Sequence, residues 1–282
     1  MRAWEQSILF YIIHLLGFIP SICNGILLDI HLPLKNILNA HSCVYEEAIR
    51  WNAAFQKNKN KNRLNNEKNE NEFIDFSCLH TPHVTLYLAD FDVIESYDDE
   101  EGKYEMMELI QAIENAIDEI KEKKLDENMI CSMEITDVTI QGAYTMLNIQ
   151  KNACLQYISD TIVNHTKSFV SFPSSVPDWV YTIPDPKVRE EKIELIREYG
   201  SPNVFEGFDP HVTVSFERNW DDNDKDRVKA RYNKVQRLNH DLPTKCNQTG
   251  QFLALGYTST GGTVVQGPIV DIDLEQIGIS MK

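Results

Sequence analysis

The tetrapeptide Pro-His-Val-Thr occurs twice in this chain, at 82–85 and again at 210–213. Each copy continues into apolar and aromatic residues, which is typical of a β-strand. Successive side chains of a strand alternate between its two faces, so His83 and Thr85 are predicted to share one face, as are His211 and Thr213. The sequence therefore predicts two strands that each present an imidazole and a hydroxyl on the same side.

A second internal match indicates that the two halves of the chain are related. The sequence TIQG at 139–142 resembles VVQG at 264–267, and LNI at 147–149 resembles IDL at 272–274. The offset is 125 residues, against 128 between the two motif histidines. Similar segments in the same order at a nearly constant offset are typical of a duplication. We expect a first lobe at approximately 73–150 and a second at approximately 205–282.

Hydrophobic periodicity predicts helices between the strands. Asp185 as N-cap, Pro186 at the first position and Gly200 just past the end delimit one helix. Apolar residues at helical spacing predict four more, at 39–55, about 106–120, 153–163 and about 228–238. Further strands are expected at 25–32, at 130–150 around Gln141-Gly142, and within 252–274. The chain therefore mixes helices and strands in a repeated plan.

Composition limits the partners of the protein. A chain of 282 residues with 42% hydrophobic residues is long enough for a sizeable core. Its formal net charge of −16 repels polyphosphate, so long duplex nucleic acid is not an expected partner, whereas a small nucleotide or a short RNA end needs only a local pocket. The stretch 57–72 (KNKNKNRLNNEKNENE) is predicted to be a solvated, low-complexity loop.

The N-terminus has features of a secretory signal peptide. Arg2 precedes an apolar stretch at 8–19, and small residues at Ser21 and Cys23 fit a cleavage site, so we expect removal of residues 1–23. The stretch is too short for a comfortable membrane span, and no stable span is expected. Cleavage would leave five cysteines, of which at least one must be unpaired. The expected location is secreted or within the secretory pathway; a cytoplasmic protein is the alternative.

Two histidines on a shared site suit the cleavage of a phosphodiester. The reaction needs a base for the attacking oxygen and an acid for the departing one, and histidine supplies both forms near neutral pH. His83 and His211 are therefore predicted to be the catalytic pair, in roles that the sequence leaves open. Thr85 and Thr213 are predicted to bind the non-bridging oxygens of the phosphate. No metal or other cofactor is expected, since His80 and His83 lack a further ligand at metal-site spacing.

The alternative is that both histidines are ordinary strand residues. For one isolated His-x-Thr we would favour that interpretation, but paired copies in related halves favour a functional one. The other six histidines, His80 among them, are expected to be structural, although His80 lies near the predicted site.

The motifs His83-Val84-Thr85-Leu86 and His211-Val212-Thr213-Val214 resemble those of the 2H phosphoesterase superfamily, which includes RNA 2',3'-cyclic phosphodiesterases, 2'-5' RNA ligase-like proteins and 2',5'-phosphodiesterases. The resemblance covers most of the chain after residue 23. It implies an α+β, bilobal fold with pseudo-twofold symmetry, two antiparallel sheets, outer helices and a central cleft. It also implies metal-independent cleavage, with the four motif residues as the catalytic set.

The resulting hypothesis is a metal-independent phosphodiesterase that acts on a 2',3'-cyclic phosphate or a 2',5'-linked nucleotide. The alternative is a nucleotide-binding or RNA-end-binding protein that retains the cleft without turnover. A metal-dependent phosphodiesterase, with the histidines as ligands, is a third possibility. We expect a monomer.

Overall fold

A computed structural model gives the architecture of the chain. It describes residues 26–35, 42–56, 74–93, 100–123, 132–243, 245–249, 252–259, 262–265 and 267–274. The expected signal segment at 1–23 and the low-complexity stretch at 57–72 lie outside these residues. The helices and strands alternate along the chain, as an α+β fold requires.

The strands are β1 (Ile26–Pro33), β2 (His80–Thr81), β3 (His83–Phe91), β4 (Ser132–Gln141), β5 (Tyr144–Ile149), β6 (His211–Phe216), β7 (Asn247–Thr249), β8 (Phe252–Ser259), β9 (Thr263–Val265) and β10 (Val270–Asp273). The α-helices are α1 (Cys43–Gln56), α2 (Glu100–Glu122), α3 (Ala153–Thr166), α4 (Asp178–Tyr181), α5 (Pro186–Tyr199) and α6 (Lys225–His240).

Two antiparallel sheets form the framework. The first has the strand order β2-β9-β8-β1-β3, with β10 also paired to β8, and the second has the order β6-β5-β4-β7. The two motif strands, β3 and β6, each end their sheet within the described part of the chain, and they lie against each other. The α+β fold with two antiparallel sheets is thus confirmed, and the sheets meet along the strands that carry the motifs.

The two sheets are not built from consecutive halves of the chain. Strands β4 and β5, which we expected beside His83, pair with β6, whereas β8 pairs with β1 and so belongs to the sheet of His83. The lobe boundaries at 73–150 and 205–282 are therefore wrong as a description of the sheets. Local sequence patterns define strands but not their partners, because strand pairing joins residues that are far apart in the chain.

The second internal match, between 139–149 and 264–274, does not relate strands that occupy equivalent places in the two sheets. Residues 147–149 lie in β5, next to the motif strand β6, whereas residues 272–273 lie in β10, which pairs with β8. The strand that occupies the place beside β3 is β1, which precedes both halves of the expected repeat. The pseudo-symmetric partner of β5 is therefore β1.

Two helices, here called the crossed helices, each pack on the sheet that does not contain the strand preceding them in the chain. Helix α1 packs on β6, and helix α3 packs on β3, while α2 lies against α3. Helix α5 begins and ends where the sequence predicts. The Asp185 side chain accepts hydrogen bonds from two backbone N–H groups of the first turn, and Gly200 adopts a φ of 72°. A Cβ at Gly200 would lie 2.5 Å from Val170 Cγ1, so this position requires glycine on both counts.

The covalent links include a disulfide between Cys43 and Cys246, which joins the start of α1 to the segment before β7. Cys154 is also disulfide-bonded, whereas Cys78 is a free, exposed thiol. Among the helices that the structure describes, none combines the length and apolar character needed to cross a bilayer.

Candidate active site

The two Pro-His-Val-Thr copies are anchored to their sheets in the same way. The carbonyl of Pro82 accepts a hydrogen bond from the Leu34 backbone N–H at 2.8 Å, and the carbonyl of Pro210 accepts one from Ile149 at 2.9 Å. Proline has no N–H of its own, so it suits the first position of a strand. The repeated motif therefore fixes the entry of β3 and of β6 in equivalent registers.

A β-bulge follows each motif threonine. The register with the neighbouring strand slips at Leu86 in β3 and at Val214 in β6, so each of these residues lacks a partner in the ladder. Side chains of two helices donate hydrogen bonds to the backbone carbonyls that the bulges leave unpaired in the ladder. The Ser159 hydroxyl of α3 donates to Leu86 O at 2.9 Å, and the Asn52 amide of α1 donates to Val214 O at 3.0 Å. The crossed helices thereby hold both motif strands in the same distorted shape.

Both motif imidazoles are oriented by their own backbone. His83 Nδ1 lies 2.8 Å from Thr81 O, and His211 Nδ1 lies 2.8 Å from Asp209 O, two residues earlier in each case. A carbonyl oxygen only accepts, so Nδ1 of each ring carries the hydrogen. Each Nε2 is left as the atom that can exchange a proton with a substrate.

A buried carboxylate faces the first motif. Asp29 on β1 is 0% exposed, and its Oδ2 accepts a hydrogen bond from the Thr85 hydroxyl at 2.8 Å and lies 3.5 Å from His83 Nε2. His31, two residues further along β1, places its ring centroid 5.0 Å from that of His83 and its Nδ1 3.6 Å from Asp29 Oδ1. The first histidine is thus part of a compact cluster, and it is itself only 7% exposed.

Charge and burial shift the pKa values of the two motif histidines in opposite directions. Burial would lower the pKa of His83, but its contact with the Asp29 carboxylate and attraction to that charge outweigh burial and raise the pKa above its ordinary value. Burial lowers the pKa of His211, and repulsion from His83 adds to the effect. Burial also opposes ionisation of Asp29, but its contacts with His31 and His83 leave the pKa of the carboxyl below its usual range. The environment therefore favours a protonated His83 and a neutral His211.

The histidine and the threonine of the second motif both have different neighbours from those of the first motif. His211 is half-buried rather than buried, and its register partner on β5 is Asn148. Thr213 is paired with Met146, whereas Thr85 is paired with His31. The Thr213 hydroxyl has no hydrogen-bond partner among the described residues, so it can donate to an incoming anion.

The structure thus brings His83, His211, Thr85 and Thr213 onto two touching strands, but it gives Thr85 an internal partner. The sequence motifs did not indicate Asp29 and His31. Their only sequence signal is their position: they alternate with Leu28, Ile30 and Leu32, all of which are 0% exposed core residues. The sequence could indicate that two polar residues share one face of β1, opposite its apolar face. It could not indicate which residues they contact.

The remaining histidines that the structure describes have structural contacts. His80 Nδ1 accepts a hydrogen bond from the Asp75 backbone N–H at 3.0 Å, which closes the turn before β2. His165 lies 2.8 Å from Glu119 Oε2, and His240 is largely exposed beside Asp241. His14 and His41 lie outside the described residues. Among the described residues, no group of three or more His, Cys, Asp or Glu is placed to hold a metal ion, and the expected absence of a metal stays a prediction.

Comparison with known proteins shows a likeness to solved structures. No family model matches the chain, and no curated protein matches it. The fold is similar to that of Usb1 from Kluyveromyces marxianus, with 12% sequence identity over 90% of this chain and 100% of the other, at a TM-score of 0.36. A likeness this distant adds nothing to the functional reasoning, which rests on the geometry of the two motifs.

Proposed function

We propose that this chain is a metal-independent phosphodiesterase that opens a 2',3'-cyclic phosphate or cleaves a 2',5'-type linkage by acid-base catalysis. The observation that carries the proposal is the paired arrangement of His83 and His211. They lie on touching strands, each has Nδ1 held by a carbonyl two residues earlier, and their environments push their pKa values apart. Such a separation is how one site provides an acid and a base at the same pH.

The reaction on a cyclic phosphate follows from these groups. One histidine Nε2 accepts a proton from water as its oxygen bonds to phosphorus. The bond from phosphorus to one ribose oxygen breaks, and the other histidine donates its Nε2 proton to that oxygen, which leaves a nucleoside monophosphate and a free hydroxyl. A threonine hydroxyl that donates to a non-bridging oxygen stabilises the charge that builds up there. Solvent then restores both histidines to their starting forms.

Turnover by histidine variants tests the proposal. Full-length protein treated with a chelator is incubated with 2',3'-cyclic AMP and with a 2',5'-linked adenylate dimer, and products are identified by NMR. His83→Gln and His211→Gln should each reduce turnover by about 10²–10⁴-fold, the usual contribution of general acid-base catalysis. His240→Gln, a change at an exposed histidine, is the matched control and should have full activity. Full activity in both motif variants, or loss of wild-type activity on chelation, would contradict the proposal.

One observation favours the second candidate function, a nucleotide-binding or RNA-end-binding protein without turnover. The Thr85 hydroxyl, an expected phosphate ligand, is engaged by Asp29, and His83 is nearly buried. In that case the same substrates would bind without being consumed. Calorimetry beside the turnover assay separates the two functions, since binding with no product after prolonged incubation supports only the second.

We also propose that the protein works in an oxidising compartment of the secretory pathway or outside the cell. The Cys43–Cys246 disulfide supports this location, because disulfides persist where thiols are not kept reduced. N-terminal sequencing of the mature native protein tests it. A sequence that starts just after residue 23 is expected, and an intact Met1 would contradict signal cleavage.

A further inference from the structure

The two motifs differ in the strand that lies beside each of them. Thr85 and Thr213 occupy equivalent places, yet the residue opposite Thr85 is His31 and the residue opposite Thr213 is Met146. Beyond the bulges, Leu88 faces Asp29, whereas Phe216 faces Tyr144. The positions that hold Asp29 and His31 in the first sheet are therefore taken by Tyr144 and Met146 in the second. A carboxylate in contact with both the histidine and the threonine of a motif is found in the first half, whereas Asp209 acts on His211 through its charge.

One oxygen of Asp29 contacts both groups of the first motif that would meet a phosphate. Oδ2 accepts the hydrogen bond of the Thr85 hydroxyl and lies 3.5 Å from His83 Nε2. A hydroxyl has a single hydrogen, so Thr85 cannot donate to a phosphate oxygen while it donates to Asp29. The second oxygen, Oδ1, is buried and has no hydrogen-bond partner within the described part of the chain. This carboxylate therefore depends on its histidine neighbours for compensation of its charge.

We propose that Asp29 is a positioning residue that makes the two motifs unequal, so that His83 is the general acid, His211 is the general base and Thr213, rather than Thr85, binds the phosphate. The inference rests on the proposed phosphodiesterase function and assigns the roles within it. Asp29 stabilises the imidazolium of His83 through direct contact. At His211, burial outweighs the attraction of Asp209 and Asp29 and leaves the pKa of that histidine below its ordinary value. Thr85 holds the carboxylate in place.

Other ionisable groups around His83 do not reverse this assignment. The groups that face it are Asp29 and His31 on β1, His80 on β2 and His211 on β6. Asp29 is the negative charge among them, and the other three are histidines that repel an imidazolium when they are protonated. Burial lowers the pKa of His80, which keeps that ring neutral near pH 7. The Asp29 carboxylate is therefore the group whose removal should change His83 most.

An Asp29→Asn variant tests the inference by two readouts. The pKa of each motif histidine is measured from its ring nitrogens by NMR in the full-length protein, and kcat/KM is measured across the pH range. Loss of the carboxylate should lower the pKa of His83 by about one unit or more and shift the basic limb of the profile down with it. The acidic limb should move less, because Asp29 acts on His211 through its charge and not through direct contact. Asp118→Asn, at an exposed carboxylate on α2, is the matched control and should move neither limb. An unchanged His83 pKa and an unmoved basic limb would overturn the role of Asp29.

The outcome for Asp29 is distinguishable from that for the proposed function. A wild-type protein without turnover would count against the phosphodiesterase, whereas normal turnover with an unmoved His83 would count against Asp29 alone. If Asp29→Asn does not fold, Thr85→Val and Thr213→Val take its place, since valine preserves the shape of threonine. Thr213→Val should lower kcat/KM by about 10²-fold or more, and Thr85→Val by less than about tenfold. Equal losses in the two variants, or a larger loss at Thr85, would overturn the inference.

Discussion

At the scale of single residues, the proposed chemistry depends on the Nε2 atoms of His83 and His211, which exchange protons with the substrate. The sequence predicted that each histidine shares a strand face with its threonine, because side-chain alternation depends only on spacing. It could not predict that Asp29 would lie against His83, since that contact depends on the register between β1 and β3, which are separated by about 50 residues of chain. The proposed acid and base roles of the two histidines depend on that contact.

The proposed mechanism predicts a pH dependence from the environments of the two histidines. His211 must be neutral to accept a proton, so the rate should fall as the pH drops through its pKa, which lies below the ordinary value of 6.5. His83 must be protonated to donate, so the rate should fall as the pH rises through its pKa, which lies above 6.5. A plot of kcat/KM against pH should therefore be bell-shaped, with its maximum between the pKa of His211 and that of His83. A maximum in strong acid, or a rate that rises steadily to high pH, would show that the groups act differently.

At the scale of secondary-structure elements, the paired bulges explain how distant helices hold the site. The helices themselves were predictable: Asp185, Pro186 and Gly200 mark the ends of α5 through local capping chemistry, and α2 follows from its apolar periodicity. The bulges at Leu86 and Val214 were not predictable, because a bulge is a mismatch between two strands and has no local signature here. The interleaving of the sheets was missed for a similar reason.

Removing a bulge partner should loosen a motif strand. Ser159 is fully buried and donates to Leu86 O, so Ser159→Ala leaves a buried carbonyl unsatisfied and should lower the free energy of unfolding by about 1–3 kcal/mol. Urea denaturation measures the change. Ser175→Ala, an exposed serine in the segment before α4, should alter the stability by less than about 0.5 kcal/mol. Equal stability of the two variants would mean that the Ser159 bond does not support β3.

At the scale of the whole molecule, the Cys43–Cys246 disulfide joins parts of the chain that are 203 residues apart. It ties α1, which packs on β6, to the segment that enters β7 of the same sheet. The chain has six cysteines, and removal of residues 1–23 would leave five, of which at least one must be unpaired. The sequence cannot say which pairs form, because pairing depends on how the fold brings the cysteines together. Among the cysteines that the structure describes, Cys78 is a free thiol.

Loss of this disulfide should destabilise the protein. A Cys43→Ser, Cys246→Ser double variant removes a constraint on the unfolded chain and should lower the free energy of unfolding by about 2–5 kcal/mol. Cys78→Ser changes an exposed thiol and is the control, with an expected change of less than about 0.5 kcal/mol. Thermal and urea unfolding under non-reducing conditions measure both. A double variant as stable as the wild type would mean that the link does not constrain the fold.

The most direct test of the central claim is whether both motif histidines contact one phosphate. Full-length protein with ¹⁵N-labelled histidine is titrated with adenosine 2'-monophosphate at about pH 6.5, and the ring nitrogens of His83 and His211 are followed by NMR. If the two imidazoles bind a single anion, their Nε2 resonances should shift together and give the same dissociation constant. The Nε2 resonance of the exposed His240 should not change. A response from one ring alone, or from neither, would contradict the account.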